Sequence, residues 1–170
     1  MKVAFLDRDG TIIEDYPDPQ WSYITHPVFL EGAIDTLKQV TSMGYKIIII
    51  TNQYIINEGY ITPNQYHSIT KQIINDLNHH NIEVLDVFYC PHAKSENCLC
   101  IKPKVGMIQQ AINKYPNINL MESFMVGDSP VDIELAINMD IGGYGIEIGA
   151  DYKNDKIVEL MNIHDLVNYV

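Results

Sequence analysis

Two aspartates, Asp7 and Asp9, follow directly on an apolar run at residues 3–6. The run is too short for a helix, and it predicts a buried strand of a parallel sheet. Ligands of open α/β sheets bind just beyond the carboxyl ends of the strands, so both carboxylates are expected at a site. Two adjacent carboxylates repel each other and favour a bound cation. The pair therefore suggests a metal-assisted nucleophile beside a second carboxylate that acts as acid and base.

The same residues have two other interpretations. Asp-x-Asp-Gly also begins the calcium loop of an EF-hand, which needs a glutamate at its twelfth position. Counted from Asp7 the twelfth residue is Asp18, within a proline-rich stretch, so an EF-hand is excluded. Aspartate and glycine are also ordinary turn residues after a strand, and for this pair on its own that alternative stays open.

Two further predicted strands also end in polar residues. Residues 46–50 lead into Thr51-Asn52-Gln53, and residues 123–126 lead into Gly127-Asp128. A threonine hydroxyl and neighbouring backbone amides can hold a phosphoryl oxygen, although an ordinary polar turn is an alternative. Asp128 could complete a metal site begun by Asp7 and Asp9. We expect Asp132 to orient its neighbours or to cap the helix that follows.

A cluster of possible metal ligands lies between the third predicted strand and the next helix. It consists of Cys90, His92, Cys98 and Cys100. Three thiolates and one imidazole at this spacing fit a closed tetrahedral zinc site, which would staple a loop without secondary structure. Unrelated thiols and a loop histidine are the alternative. Lys102 follows at once, where a pinned loop could direct it at a phosphoryl group and at Asp7, unless it is a solvated lysine.

The remaining chain alternates predicted helices and strands, which is typical of an α/β fold. Helices are predicted at residues 32–43, 63–79, 105–115, 133–139 and 165–170, and strands at 84–89 and 141–148. The loop with Pro17, Pro19 and Pro27 could form a wall over the site or merely connect elements. His79 and His80 are interpreted as surface residues at a helix end.

Composition limits the function classes. The chain has 170 residues, 46% of them hydrophobic, which predicts one globular domain over residues 1–170. The net charge of −11 argues against nucleic acid as a partner. No apolar run is long enough to cross a membrane, and the first strand leaves no room for a signal peptide, so we expect a cytoplasmic protein. Three closely spaced cysteines also fit a reducing compartment.

Taken together, the motifs resemble the haloacid dehalogenase superfamily of phosphatases. Four segments that each follow a predicted strand match its four motifs in order. They are Asp7-Arg8-Asp9-Gly10-Thr11, Thr51-Asn52-Gln53, Lys102, and Gly127-Asp128 with Asp132. The resemblance implies a three-layer Rossmann-like parallel sheet flanked by helices. A chain of this length has no room for a large cap domain.

The resemblance also implies roles for individual residues. Asp7 would be the nucleophile that forms an aspartyl phosphate, and Asp9 the general acid and base. Mg²⁺ would be held by the Asp7 side chain, the Asp9 backbone carbonyl and Asp128. The residues expected to hold the transferring oxygens or the substrate are Thr51, Asn52, Gln53 and Lys102. The partner would be a small phosphorylated metabolite, and the protein a monomer.

The cysteine-rich loop is similar to that of two branches of the superfamily. These are the D-glycero-D-manno-heptose 1,7-bisphosphate 7-phosphatases and the histidinol-phosphate phosphatases. Gly59-Tyr60 and residues 88–92 look more like the heptose branch, and residues 132–139 as much like the histidinol branch. Both branches usually carry arginine at the position of Ile101, and the heptose branch at that of Glu58. Arginine is a planar bidentate phosphate donor, so these departures weaken the expectation of a second phosphate.

We therefore predict a Mg²⁺-dependent phosphomonoester hydrolase of carbohydrate metabolism, acting on a heptose (bis)phosphate or a related sugar phosphate. Histidinol phosphate is the alternative substrate. A binding protein that retains the scaffold without catalysis is the alternative class. A panel of phosphate monoesters tested with Mg²⁺ would separate the three.

Overall fold

A six-stranded, fully parallel sheet forms the centre of the computed structural model, which describes residues 1–170. Its strands are β1 (Val3–Leu6), β2 (Lys46–Asn52), β3 (Val84–Cys90), β4 (Phe124–Gly127), β5 (Gly142–Ile146) and β6 (Ile157–Leu160). Their order across the sheet is β3-β2-β1-β4-β5-β6. The order reverses at β1, between β2 and β4, and such a switch point is where open α/β sheets bind ligands.

Four α-helices cover the two faces of the sheet, which confirms the predicted three-layer architecture. They are α1 (Ala33–Ser42), α2 (Pro63–His79), α3 (Gly106–Lys114) and α4 (Pro130–Asn138). Successive strand residues point to opposite faces, so Ile47 and Ile49 join a core cluster with α1 and α2. Ile48 and Ile50 join a second cluster with α3 and α4.

The helix starts follow from local chemistry. At α2 the Thr62 hydroxyl accepts the N–H of Gln65 at 3.1 Å, and the Gln65 side chain accepts the N–H of Thr62 at 2.8 Å. Pro63 occupies the first turn, where its missing N–H costs nothing. Thr62 and Gln65 therefore form a reciprocal capping box at the start of α2.

The C-terminal third differs most from the sequence prediction. Strand β6 was missed, because its four residues give too short a pattern to stand out from a loop. The predicted last helix is instead a 3₁₀ helix over Ile163–Asn168. It begins two residues before the predicted start at residue 165, because Asn162 caps it. The strand predicted to reach residue 148 ends at Ile146, since Glu147 adopts a left-handed φ of 58°.

Helix α4 begins at Pro130, three residues before the predicted start. Ser129 and Asp132 form a capping box there, and the carboxylate of Asp132 accepts the Ser129 N–H at 3.1 Å. The expectation that Asp132 caps this helix is therefore confirmed, although the side chain lies inside the first turn. His79 and His80 are exposed at the end of α2, as predicted. None of the helices is long and apolar enough to cross a membrane.

Candidate active site

The predicted site residues meet at the carboxyl edge of the three central strands. Asp7 follows β1, Thr51 and Asn52 end β2, and Asp128 follows β4. These residues line one cavity of about 430 Å³, together with Asp9, Lys102 and Asp132. The proline-containing loop contributes Trp21, Asp15 and Asp18 to the same lining, so it forms a wall of the site.

A buried ion triad forms the floor of this cavity. The Lys102 ammonium donates to Asp7 Oδ1 at 2.6 Å, to Asp132 Oδ1 at 2.6 Å and to the Ile50 carbonyl at 3.0 Å. Burial by itself would lower the pKa of Lys102, but the two carboxylates outweigh it and raise the pKa above its ordinary value. Lys102 is thus a fixed cation and not a solvated lysine. Asp132 positions it, as the sequence suggested.

The second-motif amide has a role that the sequence did not reveal. The Asn52 side chain accepts the backbone N–H of Lys102 at 2.8 Å and donates to the Lys102 carbonyl at 3.3 Å. Both bonds hold the backbone of the lysine, so Asn52 fixes the place from which the ammonium reaches Asp7. Asn52 also lines the cavity, as expected of a residue near the substrate.

Three carboxylates converge closely enough to share a metal ion. The ligand oxygens of Asp7, Asp128 and Asp132 lie within 4.8 Å of one another. Burial raises the pKa of Asp7 well above its usual range; Lys102 opposes the shift, and the charges of Asp132 and Asp9 add to it. Burial and the nearby Asp132 raise the pKa of Asp128 to about 6. Crowded carboxylates fit a divalent cation, because such an ion requires oxygen ligands and supplies the positive charge that compensates them.

The carboxylate of Asp9 lies outside this group of three and is held by other residues. The guanidinium of Arg8 donates to both of its oxygens, at 2.7 and 2.9 Å, and Gln53 Nε2 donates to Oδ2 at 2.7 Å. Arg8 is 1% exposed and lies between the rings of Trp21 and Tyr66. Arg8 therefore orients Asp9. Its position between two aspartates, at the end of an apolar run, was the signal that sequence reasoning missed.

Gln53 differs from its expected place. It was predicted to contact substrate, but its side chain is fully buried and does not line the cavity. Its amide nitrogen is shared between Asp9 and the hydroxyl of Thr51, which accepts at 2.9 Å. Gln53 lies just beyond the end of β2, so the direction of its side chain is set by these bonds and not by the strand pattern that places Thr51.

The cysteine and histidine residues of the long loop after β3 form a compact cluster. The ligand atoms of Cys90, His92, Cys98 and Cys100 all lie within 4.8 Å of one another. All three cysteines are free of disulfide bonds. Burial raises the pKa of Cys90, whereas hydrogen bonds to the Cys98 sulfur outweigh its desolvation and lower that pKa to about 7. Such a donor set suits one tetrahedral metal ion with no open position.

Comparison with known families decides the class of the protein. The model of the polynucleotide kinase 3 phosphatase family matches residues 2–142, which is most of the chain. The chain belongs to this family. It is accordingly a phosphatase, as its named relatives are, and its fold is similar to that of solved haloacid dehalogenase hydrolases.

Individual relatives of this phosphatase fall into two groups. It is 40% identical over 144 residues to the D-glycero-alpha-D-manno-heptose-1,7-bisphosphate 7-phosphatase of Photorhabdus laumondii, covering 78% of this chain and 75% of that one. It is 34% identical to the histidine biosynthesis bifunctional protein HisB of Campylobacter jejuni, over 84% of this chain and 40% of HisB.

A solved structure supports the fold. The crystal structure of the D,D-heptose 1,7-bisphosphate phosphatase of B. bronchiseptica, complexed with magnesium and phosphate, superimposes with a TM-score of 0.86. The two share 21% sequence identity, and the match covers 99% of this phosphatase and 97% of that chain. At this identity the likeness concerns the fold alone.

Replacing Gly10 should test how closely the first motif must approach Asp128. Gly10 and Gly59 both have left-handed backbones, with φ of 81° and 85°. Alanine should therefore strain both by about 1 kcal/mol. A Cβ at Gly10 would overlap the Asp128 carboxylate, whereas one at Gly59 meets nothing within 4 Å. We expect Gly10→Ala to lose most Mg²⁺-dependent hydrolysis of an aryl phosphate, and Gly59→Ala to keep it. Equal activity in both variants would contradict this geometry.

Asp128→Asn should stabilise the metal-free protein in a pH-dependent way. The folded state raises the pKa of Asp128 from 3.8 to about 6, so the ionised carboxylate destabilises the native state above that value. Well below pH 3.8 the group is neutral in both states and the penalty disappears. We expect the melting temperature of the variant to exceed that of the wild type by several degrees at pH 8 and by much less at pH 4. The exposed Asp155→Asn is the control, and the same gain there would refute the explanation.

Proposed function

We propose that this phosphatase hydrolyses a heptose bisphosphate or a related sugar phosphate, with Asp7 as the nucleophile and Asp9 as general acid and base. The observation that carries the proposal is the ion triad at the cavity floor. Lys102 holds Asp7 Oδ1 at 2.6 Å and leaves Oδ2 without a protein hydrogen bond. A buried, oriented carboxylate with one free oxygen has the properties that in-line attack on phosphorus requires.

The first step would transfer the phosphoryl group to the enzyme. An Asp7 oxygen forms a bond to phosphorus while the bond from phosphorus to the sugar oxygen breaks, and protonated Asp9 gives its proton to the leaving alkoxide. In the second step Asp9 takes a proton from water, which attacks phosphorus and breaks the aspartyl–phosphate bond. Phosphate leaves and Asp7 is regenerated. Arg8 and Gln53 keep the Asp9 carboxylate in place throughout.

The remaining residues would neutralise and position the phosphoryl oxygens. The buried Lys102 ammonium and the hydroxyl of Thr51 lie in the cavity lining, where they can approach these oxygens. Mg²⁺, held by Asp7, Asp128 and the Asp9 backbone carbonyl, would supply the additional positive charge that phosphoryl transfer needs. Asp132 is committed to Lys102 and to the Ser129 N–H, so we propose it as a positioning residue.

Zinc is proposed as the ion of the cysteine cluster, with a structural role. Four protein ligands leave no position for water or substrate. Lys102 follows Cys100 by two residues, so the cluster fixes the loop that delivers the lysine. Reduced thiols of this kind favour a reducing compartment, and we propose a cytoplasmic enzyme of a single domain. The monomeric state stays a prediction.

The choice between substrates needs an experiment, because relatives of both branches resemble the chain. Similarity to HisB supports histidinol phosphate as the second candidate, whereas the more similar Photorhabdus protein supports a heptose bisphosphate. Steady-state hydrolysis of both compounds and an aryl phosphate with Mg²⁺ would decide. A higher kcat/KM for the heptose compound is expected. A higher value for histidinol phosphate would favour the second candidate, and no hydrolysis of any compound would refute the proposed activity.

Asp7→Asn should abolish turnover and leave the fold intact. The amide keeps the shape of the carboxylate but is a poor nucleophile, and Lys102 retains Asp132 as its partner. Hydrolysis of an aryl phosphate and circular dichroism melting are the measurements. The exposed Asp76→Asn on α2 controls for the loss of one charge and should keep full activity. Steady-state turnover by Asp7→Asn would refute the assignment of the nucleophile.

The cysteine cluster should retain one zinc ion per chain through purification without chelators. Four ligands in a closed set bind far more tightly than the carboxylate site, from which Mg²⁺ should exchange freely. Elemental analysis of wild type and of Cys98→Ser measures the difference, and the variant should lose the zinc. Zinc-free wild type would overturn the interpretation of the loop.

A further inference from the structure

The rim of the active-site cavity carries one cation that the proposed chemistry leaves unused. Lys94 begins the short 3₁₀ turn Lys94–Glu96 of the cysteine-rich loop and lines the cavity. The other lining lysine, Lys102, is buried on the floor between two carboxylates. Lys94 is exposed, so the two lysines lie at opposite depths of the same cavity.

Lys94 is also unpaired. Its ammonium takes part in none of the ion pairs of the chain, and it lies 4.1 Å above the ring centroid of Tyr54. An aromatic face attracts an ammonium but does not replace hydrogen-bond acceptors, so its donors remain available to a ligand. The ammonium of Lys94 is therefore held in place and still able to donate hydrogen bonds to a ligand.

The surroundings hold Lys94 in this place. The hydroxyl of Tyr54 donates to Asp18 at 3.1 Å, which fixes the ring beneath the ammonium. The backbone N–H of Lys94 donates to Glu58 at 3.3 Å, and His92 of the metal cluster lies two residues away. A lysine on such a fixed turn loses less freedom on binding than one on a mobile loop.

The acidic residues of the rim already have partners. Asp15 accepts the indole N–H of Trp21 at 3.1 Å, and Asp18 accepts the hydroxyl of Tyr54. Neither of these carboxylates is paired with Lys94. Ile101 adds an apolar side chain to the lining, which leaves Lys94 as the one unpaired cation in the cavity.

We propose that Lys94 determines substrate specificity by binding a second anionic group, a phosphate at the end of the sugar away from the transferred phosphoryl group. This inference rests on the proposed function, and it names the feature that the substrate must carry. The floor would bind one phosphate for transfer, and Lys94 would bind the other without taking part in chemistry. The metal cluster serves recognition here as well, because it fixes the turn that carries Lys94.

The test compares two substrates that differ only in the second phosphate. KM and kcat are measured for heptose 1,7-bisphosphate and for heptose 7-phosphate, with wild type and Lys94→Ala. Loss of one charge-assisted contact should raise KM for the bisphosphate roughly tenfold and leave its kcat nearly unchanged. Both constants for the monophosphate should stay the same. Lys94→Arg should restore the low KM, and Lys94→Glu should raise it further.

A matched control separates recognition from a general effect of charge. Lys71 is exposed on α2 and away from the cavity, so Lys71→Ala should leave both substrates unaffected. Equal changes for the two substrates in Lys94→Ala, or no change for either, would overturn the role of Lys94. Hydrolysis of an aryl phosphate by wild type keeps this outcome distinct from a failure of the proposed phosphatase activity, which would abolish turnover of every compound.

Discussion

The ammonium of Lys102, buried between Asp7 and Asp132, is the interaction on which the site depends. Each of the two carboxylates lies 2.6 Å from it, and none of the three charges is solvated. Replacing Lys102 by a neutral residue would leave two buried carboxylates without their cation, which costs several kcal/mol. Asp132 also closes the first turn of α4, and Asn52 at the end of β2 clamps the backbone of Lys102. The place of Asp7 is thus set jointly by a strand, a helix and a loop.

The carboxyl edge of the sheet also carries more negative charge than Lys102 can neutralise. Burial and neighbouring carboxylates, Asp132 among them, raise the pKa values of Asp7 and Asp128, so the negative charge of the floor exceeds what Lys102 compensates. Buried carboxylates with excess negative charge favour binding of a divalent ion, and the bound ion in turn attracts a phosphoryl group. The chain as a whole is acidic, with a net charge of −11. Capture of an anionic substrate must therefore rely on a few placed cations and not on a general field.

The sequence predicted the architecture and much of the floor, because those features depend on local patterns. The apolar run that ends at Asp7 predicts a strand and the position of its carboxyl end from local sequence alone. The spacing of the cysteines likewise predicted the cluster in which Cys90 and Cys100 lie close together. What failed depends on three dimensions. The direction of the Gln53 side chain is set by its bonds to Asp9 and Thr51, and the clamp by Asn52 needs a loop 50 residues away. Strand β6 forms by pairing with the open edge of β5, and the four residues of β6 alone do not predict this pairing.

Arg8 places an evolutionary constraint on the first motif. Its guanidinium is buried, and its ionic partner is the neighbouring Asp9, so the two positions form a neutral unit within the interior. A lineage that abandoned catalysis could not drift at Asp9 alone, because an orphaned buried cation would lower stability. Loss of Asp9 would have to be accompanied by replacement of Arg8. Descendants that retain arginine at this position without an acidic neighbour should accordingly be rare.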